Sequence, residues 1–196
     1  VLAYRQAIAL RPGDVELHQH LALACKRQGD TVDAGAALRG ALALSLVIVV
    51  AASTAAAWLH FTGYAADPFP GHFSIDAPSA LAKAVVLALA VPVLLLARDD
   101  FPEGPFYPLF LSSLYGFCLM LSSDSFLTLF LGLELMSLPV YVLVLLAFGR
   151  PESPEAALKY LVLGGTASAM FLMGVSLLYG GSATLALSSF ANALGS

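Results

Sequence analysis

A single acid lies deep in an apolar run. Glu134 falls within Leu129-Phe130-Leu131-Gly132-Leu133-Glu134-Leu135-Met136-Ser137-Leu138-Pro139-Val140-Tyr141, ten residues beyond Asp124. At 1.5 Å per helical residue it sits about 15 Å into the segment, near the midplane if the segment spans a bilayer. An acidic side chain there costs at least ~2.5 kcal/mol on insertion scales, so it faces protein or water rather than lipid. Ser137 and Tyr141, at i+3 and i+7, share its helical face and make a polar stripe. Pro139 deprives the carbonyl of Leu135 of its helical donor and favours a kink one turn from the acid, which gives water a place to bind. Two readings compete: an acid that fixes helix packing, or a protonatable group of an ion relay, the usual role of an ionisable residue inside a membrane.

Two lysines are the next candidates. Lys159 lies in Glu155-Ala156-Ala157-Leu158-Lys159-Tyr160, with Thr166 at i+7. It can pair with Glu155 at i, i+4, snorkel to the headgroups, or act as a cation that tunes a nearby acid, since an opposite charge favours ionisation while burial opposes it. Lys83, near the start of another apolar run, is read chiefly as snorkelling. His60 and His72 flank a loop and read as solvated, whereas His18 takes an aromatic packing position. No phosphate-binding loop, nucleophile–base pair or metal-ligand set appears, and Cys25 and Cys118 form neither a disulfide framework nor a cluster motif. Both read as small buried hydrophobes.

The elements that hold these residues follow from composition. Of the 196 residues 59% are hydrophobic and 11% charged, with a mean hydropathy of +0.85; a soluble domain carries roughly 25% charged residues. The charge is also uneven. Arg5, Arg11, Lys26, Arg27 and Arg39 lie in the first 39 residues, and only Lys83, Arg98, Arg150 and Lys159 follow. Such a break marks two regions with different solvents. A net charge of −4 gives no reason to expect a nucleic-acid partner.

From residue 41 the chain holds five apolar segments of bilayer-spanning character, at 41–61, 79–97, 105–122, 125–148 and 156–179. In lipid each must be helical, because the backbone has to satisfy its own hydrogen bonds. The expected fold is therefore an all-α, polytopic bundle of transmembrane helices. Breakers fill the connections: Asp67-Pro68-Phe69-Pro70-Gly71, residues 99–104, Ser122-Ser123-Asp124, and Arg150 through Pro154. Ser153 is placed to cap the last span, with Pro154 at its first position. Pro92 predicts a kink in 79–97. Gly164-Gly165, Ser168-Ala169 and Gly174 predict close packing of the last helix. Arg98 and Arg150 fall in alternate loops, which the positive-inside rule places in the cytoplasm together with the amino terminus. The loops at 62–78 and 122–124, free of Lys and Arg, are then external, as are the residues after 179.

The first 40 residues read as a helical hairpin. Pro12-Gly13-Asp14 separates an apolar-periodic segment (Tyr4, Ala7, Ile8, Leu10) from another (Leu17, Leu21, Ala24, Cys25), and Gly29-Asp30 ends the second. Ala34, Ala37, Leu38 and Ala41 start a third face. Together with Pro12 and Leu21-Ala22, this pattern resembles a tetratricopeptide repeat, which needs about three copies for a continuous core. Only about one and a third repeats fit here, so the hairpin is not expected to be stable by itself. It is a candidate surface for a protein partner. The chain opens on an amphipathic stretch with neither a signal peptide nor an initiator Met.

Phe73-Ser74-Ile75-Asp76, Ala82-Lys83, Phe106-Tyr107-Pro108-Leu109, Leu129–Tyr141, Glu155–Gly165 and Leu177-Leu178-Tyr179-Gly180 together resemble subunit N of bacterial NADH-quinone oxidoreductase (respiratory complex I). The likeness covers about residues 41–196. It implies an antiporter-like subunit of the bacterial inner membrane that carries protons, surrounded by other membrane subunits and lipid. It binds no cofactor itself, while NADH and quinone react elsewhere in the complex. By the match Glu134 is the relay glutamate of the family's fifth helix, Lys159 its sixth-helix lysine and Lys83 its third-helix lysine. The family has about fourteen spans in inverted repeats, so the lysines of its seventh and eighth helices lie beyond this sequence. Its first span is replaced by the repeat-like helices, as in a fusion, a misassembled gene or a fragment, and the chain is not expected to pump alone. The alternatives are a related subunit of a cation/proton antiporter or membrane hydrogenase, and a membrane-anchored tetratricopeptide scaffold without transport.

Overall fold

The computed structural model describes residues 1–27, 31–100, 105–146 and 152–194. Eight helices and one two-stranded hairpin make up the described chain: α1 (Leu2–Leu10), α2 (Val15–Arg27), α3 (Thr31–Thr62), β1 (Ala66–Phe69), β2 (Phe73–Ile75), α4 (Ala77–Asp100), α5 (Phe106–Leu121), α6 (Phe126–Leu145), α7 (Ser153–Ser182) and α8 (Leu187–Leu194). Four of them, α3, α4, α6 and α7, are long and apolar enough to cross a bilayer. The expected span at 105–122 is α5, a 16-residue helix only about 24 Å long, packed between α6 and the amino-terminal helices rather than built to the full hydrocarbon thickness. The turn at Gly29-Asp30 and the connections 101–104 and 147–151, Arg150 included, lie outside the described residues, as does the side chain of Cys25.

The helical hairpin is present. Asp14 caps α2 by accepting from the amides of Glu16 (3.1 Å) and Leu17 (3.2 Å), as an N-cap carboxylate does. The His18 ring lies on Gly40, where a Cβ would come within 2.6 Å of it, so the packing role read for His18 holds. One helix, α3, serves both solvents. Its 32 residues, about 48 Å long, carry Ala37 and Leu38 against Leu21 and Ala22 of α2 and then run on as the first span.

The α3–α4 pair packs through small residues. Ala37, Ala41, Ser45, Val49 and Ala56 on α3, and Ala80, Ala84, Leu87, Ala90, Leu94 and Ala97 on α4, are buried, while Leu81, Val85, Leu89, Val93 and Leu96 face outward. Where lipid is as apolar as the side chains, helices associate through close backbone approach, and alanine permits it. Ser53 donates across the pair to the carbonyl of Ala84 (3.0 Å). Exposed Trp58, Phe61 and Tyr64 mark the end of α3 as an aromatic belt does. Pro92 lies inside α4, which continues through it to Asp100.

Helices α5 and α6 approach still more closely. A Cβ on Gly116 would lie 2.5 Å from the Met136 nitrogen, and one on Gly132 2.9 Å from the Met120 nitrogen. The loop expected at 62–78 contains the antiparallel hairpin β1–β2, turned at Gly71 with φ 77°. It is sewn to the α5–α6 turn. The Ser74 amide donates to the Ser122 carbonyl (3.0 Å) and that of Asp124 to the His72 carbonyl (2.9 Å). The segment after α7 joins the same layer through Leu185 and Leu187. The three connections assigned to one side of the bilayer therefore meet. His60, read as solvated, instead bonds the Ala77 carbonyl through Nδ1 at 2.8 Å.

Candidate functional site

Glu134 sits on α6 against α7. Its half-buried carboxylate accepts a hydrogen bond from the hydroxyl of Ser168. The seam is layered along the helices. One turn toward the hairpin side, Phe130 stacks on Phe171 with ring centroids 6.2 Å apart and planes at 12°. One turn the other way, the Tyr141 hydroxyl lies over Gly164, so close that a Cβ there would overlap it. Tyr141 then meets Tyr160 edge-on at 5.4 Å. A cavity of about 250 Å³ opens in this layer, lined by Ser137, Tyr141, Tyr160 and Gly164 with Met136, Val140 and Leu163.

Ser137 shares the face as expected, but its hydroxyl turns back to the carbonyls of Leu133 (2.7 Å) and Glu134 (3.4 Å) on its own helix. Pro139 is buried, and Ser113 of α5 donates to the carbonyl of Met136, next to the Leu135 carbonyl that the proline deprives of its donor, at 2.9 Å. Ser168 was grouped by sequence only with the small residues of the last helix. Of that group, Gly164 and Ser168 meet α6, while Gly165 and Gly174 have nothing within 4 Å of where a Cβ would lie. The helix itself begins one residue earlier than predicted, at Ser153. Glu152 holds the N-cap position without a side-chain bond, and Ser153 and Pro154 are already helical.

The lysines lie apart from the acid. Lys159 pairs with Glu155 at 2.5 Å, both about 70% exposed. That is the i, i+4 reading, and it leaves the ammonium about 13 Å along α7 from Ser168. Thr166 bonds the carbonyl of Val162 on its own helix (2.8 Å). Lys83 reaches the buried hydroxyl of Ser122 at the end of α5, so its head is held by protein on the hairpin side rather than snorkelled to the headgroups. Beside it lies a hydroxyl cluster that sequence gave no reason to single out. Buried Thr128 meets Ser123 (2.6 Å) and Ser125 (3.0 Å) and donates to the His72 carbonyl (2.9 Å). At the start of α4, Asp76 and Ser79 cap each other reciprocally (3.0 and 3.2 Å), and the bonds from Ser79 hold the Asp76 carboxyl below the ordinary aspartate value. Among the described residues no group of three or more His, Cys, Asp or Glu is placed to hold a metal.

The site is thus an acid on a proline-containing span, held against a second span. A family profile described as "NADH:quinone oxidoreductase/Mrp antiporter, TM" matches residues 123–195, which include α6, α7 and both Glu134 and Ser168. Residues 123–195 thus match this family. Curated relatives named NADH-quinone oxidoreductase subunit N include one from Laribacter hongkongensis, 35% identical over 79% of this chain and 32% of its own length. Another, from Desulfovibrio desulfuricans, is 40% identical over 75% and 27%. The chain thus spans about a third of the relatives it matches. Among solved structures, respiratory complex I from Thermus thermophilus with bound aureothin aligns at TM-score 0.67 and 30% identity, over 76% of this chain and 33% of that one. An archaeal membrane-bound sulfane sulfur reductase aligns at 0.62 and 24% over 95% of this chain, a likeness of fold. The four long apolar helices of this chain fit a multi-pass, membrane-embedded protein. The matches lend no support to the tetratricopeptide likeness of residues 1–40 or to a partner for that segment.

Proposed function

We propose that this chain is part of the proton-translocating membrane subunit N of NADH-quinone oxidoreductase in a bacterial inner membrane, with Glu134 as the relay acid. The observation that carries the reading is the position of Glu134: a carboxylate eight residues into α6, between two spans, with a hydroxyl partner on α7. A carboxylate in such a place is stable enough to be kept only where it has protein or water to face. NADH oxidation and quinone reduction belong, in this reading, to other subunits, whose charge changes shift the balance around Glu134 and drive proton uptake and release. Lys159 serves as the relay cation on the side of the basic loops and Lys83 as a weaker one on the hairpin side. The amino-terminal helices face the cytoplasm. Other membrane subunits of the complex are the partners. Glu134→Gln in the full-length subunit, assembled in its complex, lowers the protons moved per electron while the protein still inserts; unchanged pumping per electron defeats the assignment.

A further inference from the structure

Helix α5 is too short for the layer it lies in, and the amino-terminal turn fills the difference. The far end of α5 is fixed in the hairpin layer through the Ser122 carbonyl. With a length of about 24 Å, its start at Phe106 falls about 6 Å short of the opposite edge of a ~30 Å hydrocarbon layer. The turn between α1 and α2 stands there. Val15 is buried in one cluster with Phe106 and Tyr107 of α5 and Ala41 of α3. Helix α3 gives the turn the same depth: the His18 ring lies on Gly40, about 33 Å along the helix from Thr62. Residues 11–16 therefore sit where acyl chains give way to headgroups. A groove of about 550 Å³ opens at this level between the turn and α5, within the ~300–1,000 Å³ usual for small-molecule sites. Val15, Pro108 and Leu111 supply its apolar wall, and Arg11, Asp14 and Glu16 line it with both signs of charge. Arg11 is exposed, and among the described residues no ion pair holds it. One oxygen of Asp14 caps α2, which leaves the other free to accept. Beside Arg11, Leu10 is 84% exposed, a side chain whose place at this depth is among acyl chains.

We propose that this groove binds the headgroup of an amine-bearing zwitterionic phospholipid, a phosphatidylethanolamine. Its phosphate lies on Arg11, its ammonium on Asp14 and Glu16, and its acyl chains run along Leu10, Pro108 and Leu111. A guanidinium offers phosphate a planar fork of donors. The ammonium of the ethanolamine head brings three N–H donors to the two carboxylates. A choline head has no N–H to give them, and a purely anionic head leaves both carboxylates unmatched. The site belongs to the amino-terminal helices and does not depend on the role of Glu134.

The test is headgroup-selective quenching in the full-length protein, reconstituted in phosphatidylcholine vesicles. A fluorophore is attached at Leu10→Cys, with the native cysteines replaced. A small fraction of the lipid carries a nitroxide on its acyl chain and an ethanolamine, a choline or a glycerol head. The ethanolamine lipid is expected to quench more deeply than the other two at equal fraction. Arg11→Gln is expected to lower its apparent affinity about tenfold, the scale of one charge-assisted bond. Quenching by the choline lipid should persist in that variant, which shows the turn still in the bilayer. Asp14→Asn, which keeps the helix cap, is expected to bring the ethanolamine lipid down toward the choline lipid. Equal quenching by all three heads, or deeper quenching by the glycerol head, would overturn the proposal. So would a preference that survives Arg11→Gln, or no quenching by any lipid, which would place protein over the groove.

Discussion

Replacing Gly116 by Ala adds one methyl group where α5 touches the backbone of α6. The new Cβ would lie 2.5 Å from the Met136 nitrogen, 2.7 Å from the Leu135 carbonyl carbon and 2.9 Å from the Met136 Cα, against ordinary contact beginning at 3.4 Å. Backbone atoms cannot swing aside as a side-chain tip can. The helices must therefore part by about 1 Å, the shortfall from ordinary van der Waals contact. That movement stretches the bond from Ser113 to the Met136 carbonyl, now 2.9 Å, beyond hydrogen-bonding distance. Overpacking costs about 1–3 kcal/mol, the lost bond about 1 kcal/mol, and the better helix propensity of alanine returns up to ~1 kcal/mol. A net loss of about 2 kcal/mol follows from these. The assay is the thermal unfolding midpoint of the purified full-length subunit in detergent. Gly35→Ala in α3 is the control, because its added methyl would meet only the Arg39 Nη2, at 3.9 Å. Gly116→Ala is expected to melt several degrees below both wild type and the control. Equal midpoints for the two variants would refute the close contact between α5 and α6.

Three further outcomes are expected. Asp76→Ala removes the cap of α4 and costs about 1 kcal/mol at neutral pH. Because the folded carboxyl titrates below the unfolded value of 3.8, the contribution of Asp76 is complete above that value and fades as pH falls through the lower folded one. The gap in denaturation midpoint between wild type and variant should therefore begin to close only below pH 3.8 and narrow as pH falls further; a gap that widens on acidification contradicts the assigned bonds. Thr128→Val keeps the shape but leaves the Ser123 and Ser125 hydroxyls and the His72 carbonyl short of a partner in a buried layer; loss of about 1–3 kcal/mol should appear as easier proteolysis of the β1–β2 loop in membranes. Lys159→Ala breaks an exposed pair and should move the unfolding midpoint hardly at all, since such pairs contribute about 0.3–0.5 kcal/mol; a large destabilisation would mean that Lys159 bonds elsewhere in the full-length protein.

The helices were legible because bilayer spans announce themselves by length and apolarity, and the position of Glu134 because a lone acid in such a run has no ordinary place in lipid. What hydropathy does not reveal is which face of an all-apolar helix meets protein. On α3 and α4 the packed face is marked by alanine rather than by hydrophobicity, a signal that is visible once sought. The partner of Glu134 was less accessible. Ser168 lies 34 residues further along the chain, and pairing it with the acid requires the register of two helices, which neither sequence segment sets by itself. The hairpin at 66–75 was hidden by its prolines, since Pro68 and Pro70 read as breakers although an edge strand tolerates the first and the turn the second. The separation of Lys159 from Glu134 also follows from register. Its neighbour Glu155 is at hand at i−4, and the chain need bring no other partner to it.

The central claim is that Glu134 carries protons in the assembled complex. The direct measurement is the number of protons translocated per electron during NADH oxidation, in vesicles holding the complex with Glu134→Gln or Glu134→Asp in the full-length subunit. A lower ratio in the Gln variant, with the complex assembled and NADH still oxidised, and recovery toward wild type in the Asp variant, is the predicted result. An unchanged ratio with Gln at position 134 would contradict it.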